Sequence, residues 1–370
     1  MIQRTQYLNQ LSAAIRRSPV TALLGPRQCG KTTLARYFCK DKDSVFFDLE
    51  SQPDLQRLQN PEFVLGAMKG LVVLDEIQIR PELFGTLRVL ADRPGHPARF
   101  LILGSASPQI VRNASETLAG RIEFIDLAGF DLSEVHEEST DKLWVRGGFP
   151  RSFLADSDSD SFAWREGFIR TFLERDIPQL GITIPAATIR RFWTMLAHYH
   201  GQIWNASELA RSMGMSDKTV RSYLDILTGT YMVRQLQPWY TNIGKRQVKA
   251  PKIYLRDSGL LHNLLSLTNQ HALLGHPKLG ASWEGFAIEQ IIRIVKPVDA
   301  YFWHTHSGPE IDLLIFHNGK AYGFEVKFNE APIASRSMKN AITDLNLDHL
   351  WIICPGKVRY VLDETITVLP

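Results

Sequence analysis

Between Val20 and Leu34 the chain reads VTALLGPRQCGKTTL. Five apolar or β-branched residues run into a glycine turn, and a helical pattern opens at Lys31. The stretch from Gly25 to Thr32 fits G-x-x-x-x-G-K-[ST], a loop that wraps phosphate. Gly25 and Gly30 let backbone N–H groups approach the ligand, with Pro26, Arg27, Gln28 and Cys29 completing the loop between them. Lys31 is placed to reach β- and γ-phosphates, and the Thr32 hydroxyl to take Mg²⁺, with Thr33 following. The helix that begins here adds its positive dipole end. A chance match in a glycine turn would lack a strand before it and a helix after it. ATP with Mg²⁺ is therefore the expected ligand.

Working outward, four more apolar segments read as strands: SVFFDL (44–49), LVVLDE (71–76), RFLILGS (99–105) and IEFIDL (122–127). Buried strands alternating with helical segments predict an α/β fold with a parallel sheet covered on both faces. Residues 1–17 carry Leu8, Leu11 and Ile15 at helical spacing, a short amphipathic helix. The first acidic residue is Asp41, which gives the start of the chain the look of a basic transit peptide. The phosphate loop at Gly25 follows too closely for that reading.

Asp75 ends a buried strand, where a carboxylate is costly unless it faces a cation or a donor. It is the expected Mg²⁺ partner through water, and Glu76 the group that orients the attacking water. Alone, an Asp-Glu pair at a strand end would be a helix cap. Ser105 closes another strand, placed either to sense the γ-phosphate or to cap a helix. Arg121 is a candidate arginine finger acting across a subunit boundary, with Arg112, Arg146 and Arg175 as competitors.

With 370 residues the chain has room for two or three domains. A net charge of +3 decides nothing about nucleic acid. Cys29, Cys39 and Cys354 are too few and too scattered for a disulfide framework or a zinc site, which fits a reducing cytoplasm. No apolar run approaches the length of a membrane span.

After about residue 128 the pattern becomes mostly helical. DSDSDS (156–161) reads as a solvated loop, with helices near 162–177 and 187–199. Residues 205–239 read as a helix-turn-helix leading into a wing. Asn205 and Glu208 have capping-box spacing, Gly214 makes the turn and Ser216 caps the second helix. Val220, Leu224 and Leu227 form that helix's inner face, which leaves Lys218, Arg221 and Ser222 outward where a recognition helix meets DNA. Lys245, Arg246 and Lys249 follow in a basic wing. Over 205–257 there are nine basic residues against four acidic, +5 in a chain of +3. Charge concentrated here suits phosphate contact. The competing reading is a winged helix that docks a protein.

The last unit opens with a helix, SWEGFAIEQIIRIV, and carries PEIDLLIFHNGKAYGFEVK (309–327). Strand alternation puts Glu310 and Asp312 on one face, and Glu325 and Lys327 on one face of the neighbouring strand. Glu284 lies on the apolar face of the opening helix. Asp312, Glu325 and Glu284 are thus candidate ligands for Mg²⁺ or Mn²⁺, with Lys327 beside them to stabilise hydroxide or the pentavalent phosphate. The spacing resembles that of the restriction-endonuclease-like superfamily. A cross-strand ion pair on a wet hairpin is the alternative.

Taken together, GPRQCGKTTL, LDEIQ, GSAS, RGGFP (146–150), FLERDI (172–177), VKAPKIYLRDSGLL (248–261), GASWEGFAIEQ (280–290) and GPEID…FEVK resemble a large prokaryotic family of AAA-type P-loop ATPases whose C-terminal domain is of unknown function. The resemblance implies a P-loop core (1–127), a helical lid or connector (128–202), a winged helix (203–258), a connector (259–280) and a restriction-endonuclease-like end (281–370). It implies ATP-driven homo-oligomeric rings acting on DNA, branched DNA included; the residues leave ring size open, a hexamer among the choices. The family's usual Arg before the acidic strand is His304 here. Three activities follow as expectations: an ATPase that remodels DNA, an ATP-regulated metal-dependent nuclease, or a nucleotide-switched scaffold that binds a protein.

Overall fold

The computed structural model describes residues 2–95, 97–105, 114–240, 249–305 and 308–370. The chain divides into two compact units, Met1–Phe130 with Gly229–Tyr231, and Asp131–Thr228 with Met232–Pro370.

The first unit is a five-stranded parallel sheet: β1 (Val20–Gly25), β2 (Ser44–Asp48), β3 (Gly70–Asp75), β4 (Ala98–Ser105) and β5 (Ile122–Asp126), in the order β2-β3-β4-β1-β5. Each expected strand is present within a residue or so. β1 is buried along its whole length, as a central parallel strand must be. Val20, Ala22, Leu24, Val72, Leu74, Phe100 and Ile102 pack with the helix Leu83–Ala91 in one core. The N-terminal helix Thr5–Arg17 buries Tyr7, Leu11 and Ala14.

The second unit is built on a nine-stranded mixed sheet. β6 (Gln202–Ile203), β7 (Val233–Pro238) and β8 (Lys252–Leu255) flank the helix-turn-helix segment. β9 (Ala300–His304), β10 (Glu310–His317), β11 (Lys320–Val326), β12 (His349–Ile353), β13 (Tyr360–Asp363) and β14 (Ile366–Leu369) come from the C-terminal segment. The order is β13-β14-β12-β11-β10-β9-β7-β8-β6. The β7–β8 hairpin and the C-terminal domain thus share one sheet, joined where β7 pairs with β9 at Gln237↔Tyr301 and Pro238↔Phe302. Helix Leu279–Val295 covers one face over Leu313, Ile315 and Phe324; helix Arg336–Leu345 covers the other over Ile311, Leu314 and Leu350. A register shift in β10 between Ile311 and Leu314 changes the phase of the alternation beside Asp312.

One sequence expectation is corrected, and a second gains detail. Residues 158–161 are not loop but the start of helix Asp158–Thr171, capped by Ser157, because Asp158 and Asp160 suit a helix N-terminus. The segment 259–280, expected as a connector, begins inside a helix. Its helix Ser258–Leu264 is buried from Gly259 to Leu264, so the leucines that looked like linker texture are core.

The helix-turn-helix is present as Ala206–Met213 and Asp217–Gly229. Asn205 accepts from the Glu208 N–H, Gly214 takes a left-handed φ of 68°, and Ser216 accepts from the Thr219 N–H. Glu208 meets Tyr199 Oη, and the bond from its side chain back to the cap is not among those found. No helix among the described residues is long and apolar enough to cross a membrane.

Two histidines in this unit are wholly buried. His262 Nδ1 lies 3.0 Å from the Val145 carbonyl and Nε2 2.7 Å from Ser282 Oγ, which also accepts from Trp144 Nε1. A carbonyl only accepts, so Nδ1 carries the proton and Nε2 accepts from the serine. His200 Nδ1 accepts from the Leu255 N–H. Burial lowers both rings to a pKa of about 3. The unfolded chain takes up these protons below about pH 6.5 and the folded one does not. Stability should therefore fall as pH drops from about 6.5 towards 3, by about 1.4 kcal/mol per pH unit for each ring. Denaturant titrations at pH 7 and pH 5 should show the loss, and His262→Asn should reduce its slope.

Candidate functional site

The loop after β1 has the backbone that the glycines anticipated. Gln28 and Gly30 both take left-handed φ, 62° and 99°. Alternating handedness turns successive N–H groups into one concavity, an anion nest. A Cβ on Gly25 would lie 2.0 Å from the Leu127 carbonyl oxygen, so only glycine fits where β1 enters the loop. Cys29 is buried and its thiol lies 3.5 Å from the same carbonyl.

Lys31 opens helix Lys31–Cys39, and its ammonium donates to the carbonyls of Gly25 (3.0 Å) and Pro26 (2.9 Å). It is buried in the mouth of its own loop. Thr32 Oγ1 donates to Asp75 Oδ2 at 2.8 Å, joining the phosphate loop to the end of β3. The other oxygen, Oδ1, accepts from the Glu76 N–H at 3.0 Å. Burial pushes the Asp75 carboxyl up, against the pull of the Thr32 hydrogen bond, and the neighbouring Glu76 charge adds to the rise. Such a carboxylate gains most from a nearby cation.

Glu76 sits in the left-handed region at φ 58°, and the Gln78 amide donates to its carboxylate. Non-glycine backbone of this kind costs of order 1–3 kcal/mol and is held only by its surroundings. Ser105 ends β4 in register with Gly25, and its buried Oγ has no hydrogen-bond partner among the described residues. Thr32, Asp75, Glu76 and Ser105 thus all lie at the C-terminal edge of the parallel sheet, where open α/β sheets take ligands. The donor set suits a nucleotide triphosphate with Mg²⁺. Loop amides and Lys31 would meet phosphate, and Thr32 and Asp75 would hold the ion.

The sequence reading missed two residues here. Arg4 is buried and donates to the carbonyls of Cys29, Ala128 and Gly129, at 3.2, 3.0 and 3.0 Å, bracing the phosphate loop from behind. Gln78 was visible only as a letter of LDEIQ. Arg27 reaches Glu50 at 3.6 Å.

The arginine-finger candidates are placed differently. Arg121 grips Asp92 of its own chain through Nε (2.5 Å) and Nη2 (3.0 Å). Arg146 pairs with Asp158 at 2.7 Å. Arg175 is exposed on the segment Phe172–Asp176. Arg112 lies outside the described residues, as do Lys245 and Arg246 of the wing.

On the second helix of the helix-turn-helix, Lys218, Arg221 and Ser222 are all exposed, and Val220, Leu224 and Leu227 are buried beneath them. Lys249 is exposed too. The charge count needs correction. Arg234 and Arg256 face the buried Glu289, and Lys252 is buried against carboxylates. Three of the nine basic residues therefore serve the interior.

The carboxylates of the C-terminal domain also differ from expectation. Their spacing predicts convergence on Mg²⁺ or Mn²⁺. Instead the Lys252 ammonium lies 3.2 Å from Glu284 Oε1 and 3.2 Å from Asp312 Oδ1. Tyr254 Oη donates to that Glu284 oxygen, and Asp312 Oδ2 accepts from the Val326 N–H at 2.9 Å. Glu325 pairs with Lys327 at 2.7 Å, and His304 Nδ1 lies 3.3 Å from Glu310. Among the described residues no group of three or more ligating side chains is arranged to hold a metal ion. Burial pushes Glu284 up to about 7 and Glu325 to about 8, in each case with Asp312 adding to the rise. Lys252 is held charged, because Asp312 and Glu284 outweigh its burial. Lys252 escaped the sequence reading because it looked like one more wing lysine. The available signal was Lys252 and Tyr254 two apart in PKIYL, which sends both side chains to one face of a strand.

Comparisons with known proteins agree with this geometry. Residues 17–136 match the family described as AAA domain. Residues 137–271 and 279–370 match two domains of unknown function (DUF8612 and DUF4143). Uncharacterized proteins of Mycobacterium tuberculosis and Mycobacterium bovis are each 51% identical over 370 residues, 100% of this chain and 84% of theirs. A Walker-type ATPase of Pyrococcus abyssi shares the fold at a TM-score of 0.51 and 14% identity, over 72% of this chain and 96% of that one. The chain belongs to the family of the two mycobacterial proteins, a family of AAA-type P-loop ATPases.

The steric limit at Gly25 gives a direct test. Gly25→Ala should cost about 3 kcal/mol or more by overpacking against Leu127. Gly85→Ala, where nothing lies within 4 Å, is the matched control. Thermal melts and fluorescent-nucleotide titration should show loss in the first variant and little change in the second.

Proposed function

We propose that this chain hydrolyses ATP to ADP and phosphate, and couples the reaction to remodelling of DNA as a homo-oligomeric ring. The observation that carries hydrolysis is the bond from Thr32 to Asp75, which brings the phosphate loop and the acidic strand into one site. In this reading the nest around Gln28 and Gly30 binds the phosphates, and Lys31 moves from its loop carbonyls to the β/γ oxygens. Thr32 and Asp75 hold Mg²⁺, which when bound supplies positive charge to the phosphate oxygens. Glu76, held by Gln78, orients the attacking water, and Ser105 offers its hydroxyl to the γ-phosphate. Arg121 is the favoured finger across a subunit boundary, and would have to exchange Asp92 for phosphate.

DNA enters through the second helix of the helix-turn-helix. Its exposed Lys218, Arg221 and Ser222 support a recognition surface, with Lys249 at the wing. The rival readings keep one observation each. Metal-dependent scission has Glu325 and Lys327 at 2.7 Å in its favour and Lys252 against it. A protein-binding scaffold is favoured by the loss of three basic residues to the interior.

Lys31→Ala should abolish ATP turnover, and Glu76→Gln should abolish turnover with nucleotide binding kept. Phosphate-release and nucleotide-binding assays check both, and undiminished hydrolysis in Lys31→Ala would sink the site. Lys218→Ala and Arg221→Ala should each weaken DNA binding. Loss of a phosphate contact should also reduce the salt slope by about one per residue. Affinities measured across a salt series decide it; unchanged affinity with DNA-independent turnover would favour the scaffold.

A further inference from the structure

The restriction-endonuclease-like resemblance implies a divalent metal at Glu284, Asp312 and Glu325, and the side chains present do not suit one. We infer that Lys252 is a tethered cation that takes the metal's electrostatic place, leaving the C-terminal domain metal-free and locking the winged-helix hairpin to it. The inference goes beyond the ATPase reading and does not rest on it.

Geometry carries the inference. Lys252 begins β8, a strand of the hairpin, whereas Glu284 comes from helix Leu279–Val295 and Asp312 from β10. One ammonium therefore ties together three elements from both halves of the shared sheet. Its side chain is 7% exposed, and its nitrogen sits at 3.2 Å from an oxygen of each carboxylate. The ring of Phe302 lies 5.7 Å away on β9. Tyr254 Oη shares the Glu284 oxygen that meets Lys252, and the Val326 N–H engages the second oxygen of Asp312. A divalent ion needs several oxygens directed at one point. Here the two nearest carboxylates are directed at an ammonium, and Glu325 is directed at Lys327.

Buried charges are compensated either by a partner or by an ion, and a covalently tethered partner acts at very high effective concentration. Lys252 therefore excludes Mg²⁺ and Mn²⁺ without needing to bind them. A domain so filled has no means of metal-assisted water activation at these carboxylates and holds its shape in chelator.

The test uses the full chain without nucleotide, titrated with Mn²⁺ and followed by electron paramagnetic resonance. Wild type and Asp312→Asn should take up the same amount of Mn²⁺. Lys252→Met, which keeps length and removes charge, should gain one Mn²⁺ that is lost again in Lys252→Met/Asp312→Asn. Asp312-dependent Mn²⁺ uptake by the wild type, or Asp312-dependent cutting of labelled forked DNA, overturns the inference. So does a folded Lys252→Met chain that takes up no additional Mn²⁺. Should Lys252→Met fold poorly, denaturant midpoints decide. The double variant should be more stable than Lys252→Met alone, because it no longer buries an unpaired carboxylate. Additive losses in the two single variants overturn the pairing.

Discussion

A charge withdrawn from water must meet its opposite or a set of dipoles, and leaving it unpaired costs about 3–5 kcal/mol. Both units are organised around charges that satisfy this constraint. In the first, Lys31 is lodged against carbonyls of its own loop and Asp75 against the Thr32 hydroxyl. Each is polarised by burial and placed where a phosphate or a cation would strengthen it. The candidate site is thus a group of compensated charges whose compensation can be improved by a ligand.

The second unit applies the same constraint to architecture. Glu289 is fully buried. Burial would raise its pKa, yet the guanidiniums of Arg234, Arg256 and Arg293 override that and bring it to about 2. Arg234 lies on a hairpin strand and Glu289 on the C-terminal helix, so this cluster binds the same two segments that Lys252 binds. Arg165 takes the other route. It is wholly buried and donates to the carbonyls of Ser161, Val145 and Gly259. The nine-stranded sheet is held by buried ionic contacts on one face as well as by the β7–β9 pairing. This is why the β7–β8 hairpin and the C-terminal domain form a single structural body.

That organisation bears on function. A hairpin that shares its sheet with the C-terminal strands is not joined to them by a free linker alone. Lys218 and Arg221 are exposed on this unit. In the C-terminal domain Glu284 and Asp312 meet Lys252, and Glu325 meets Lys327. Its carboxylates then contribute rigidity and hairpin attachment.

The sequence by itself determined the first unit almost completely. Strand positions, the phosphate loop with Lys31 and Thr32, and the Asp75-Glu76 strand end are local patterns. Each depends on strand or helix period and on glycine at fixed offsets, and Gly25, Gly30 and LVVLDE spell them out within a few residues. The helix-turn-helix was legible for the same reason, through Asn205, Gly214 and Ser216. Tertiary structure alone decided the fate of isolated charges. Lys252 and Lys249 are three residues apart in one basic stretch, yet one is buried between Glu284 and Asp312 and the other is exposed. Arg4 could not be told from any basic N-terminal residue until the chain returned at Ala128 and Gly129 to receive it. A charge's role is set by what lies opposite it, and those partners stand 32, 60 and 124 positions away in the chain.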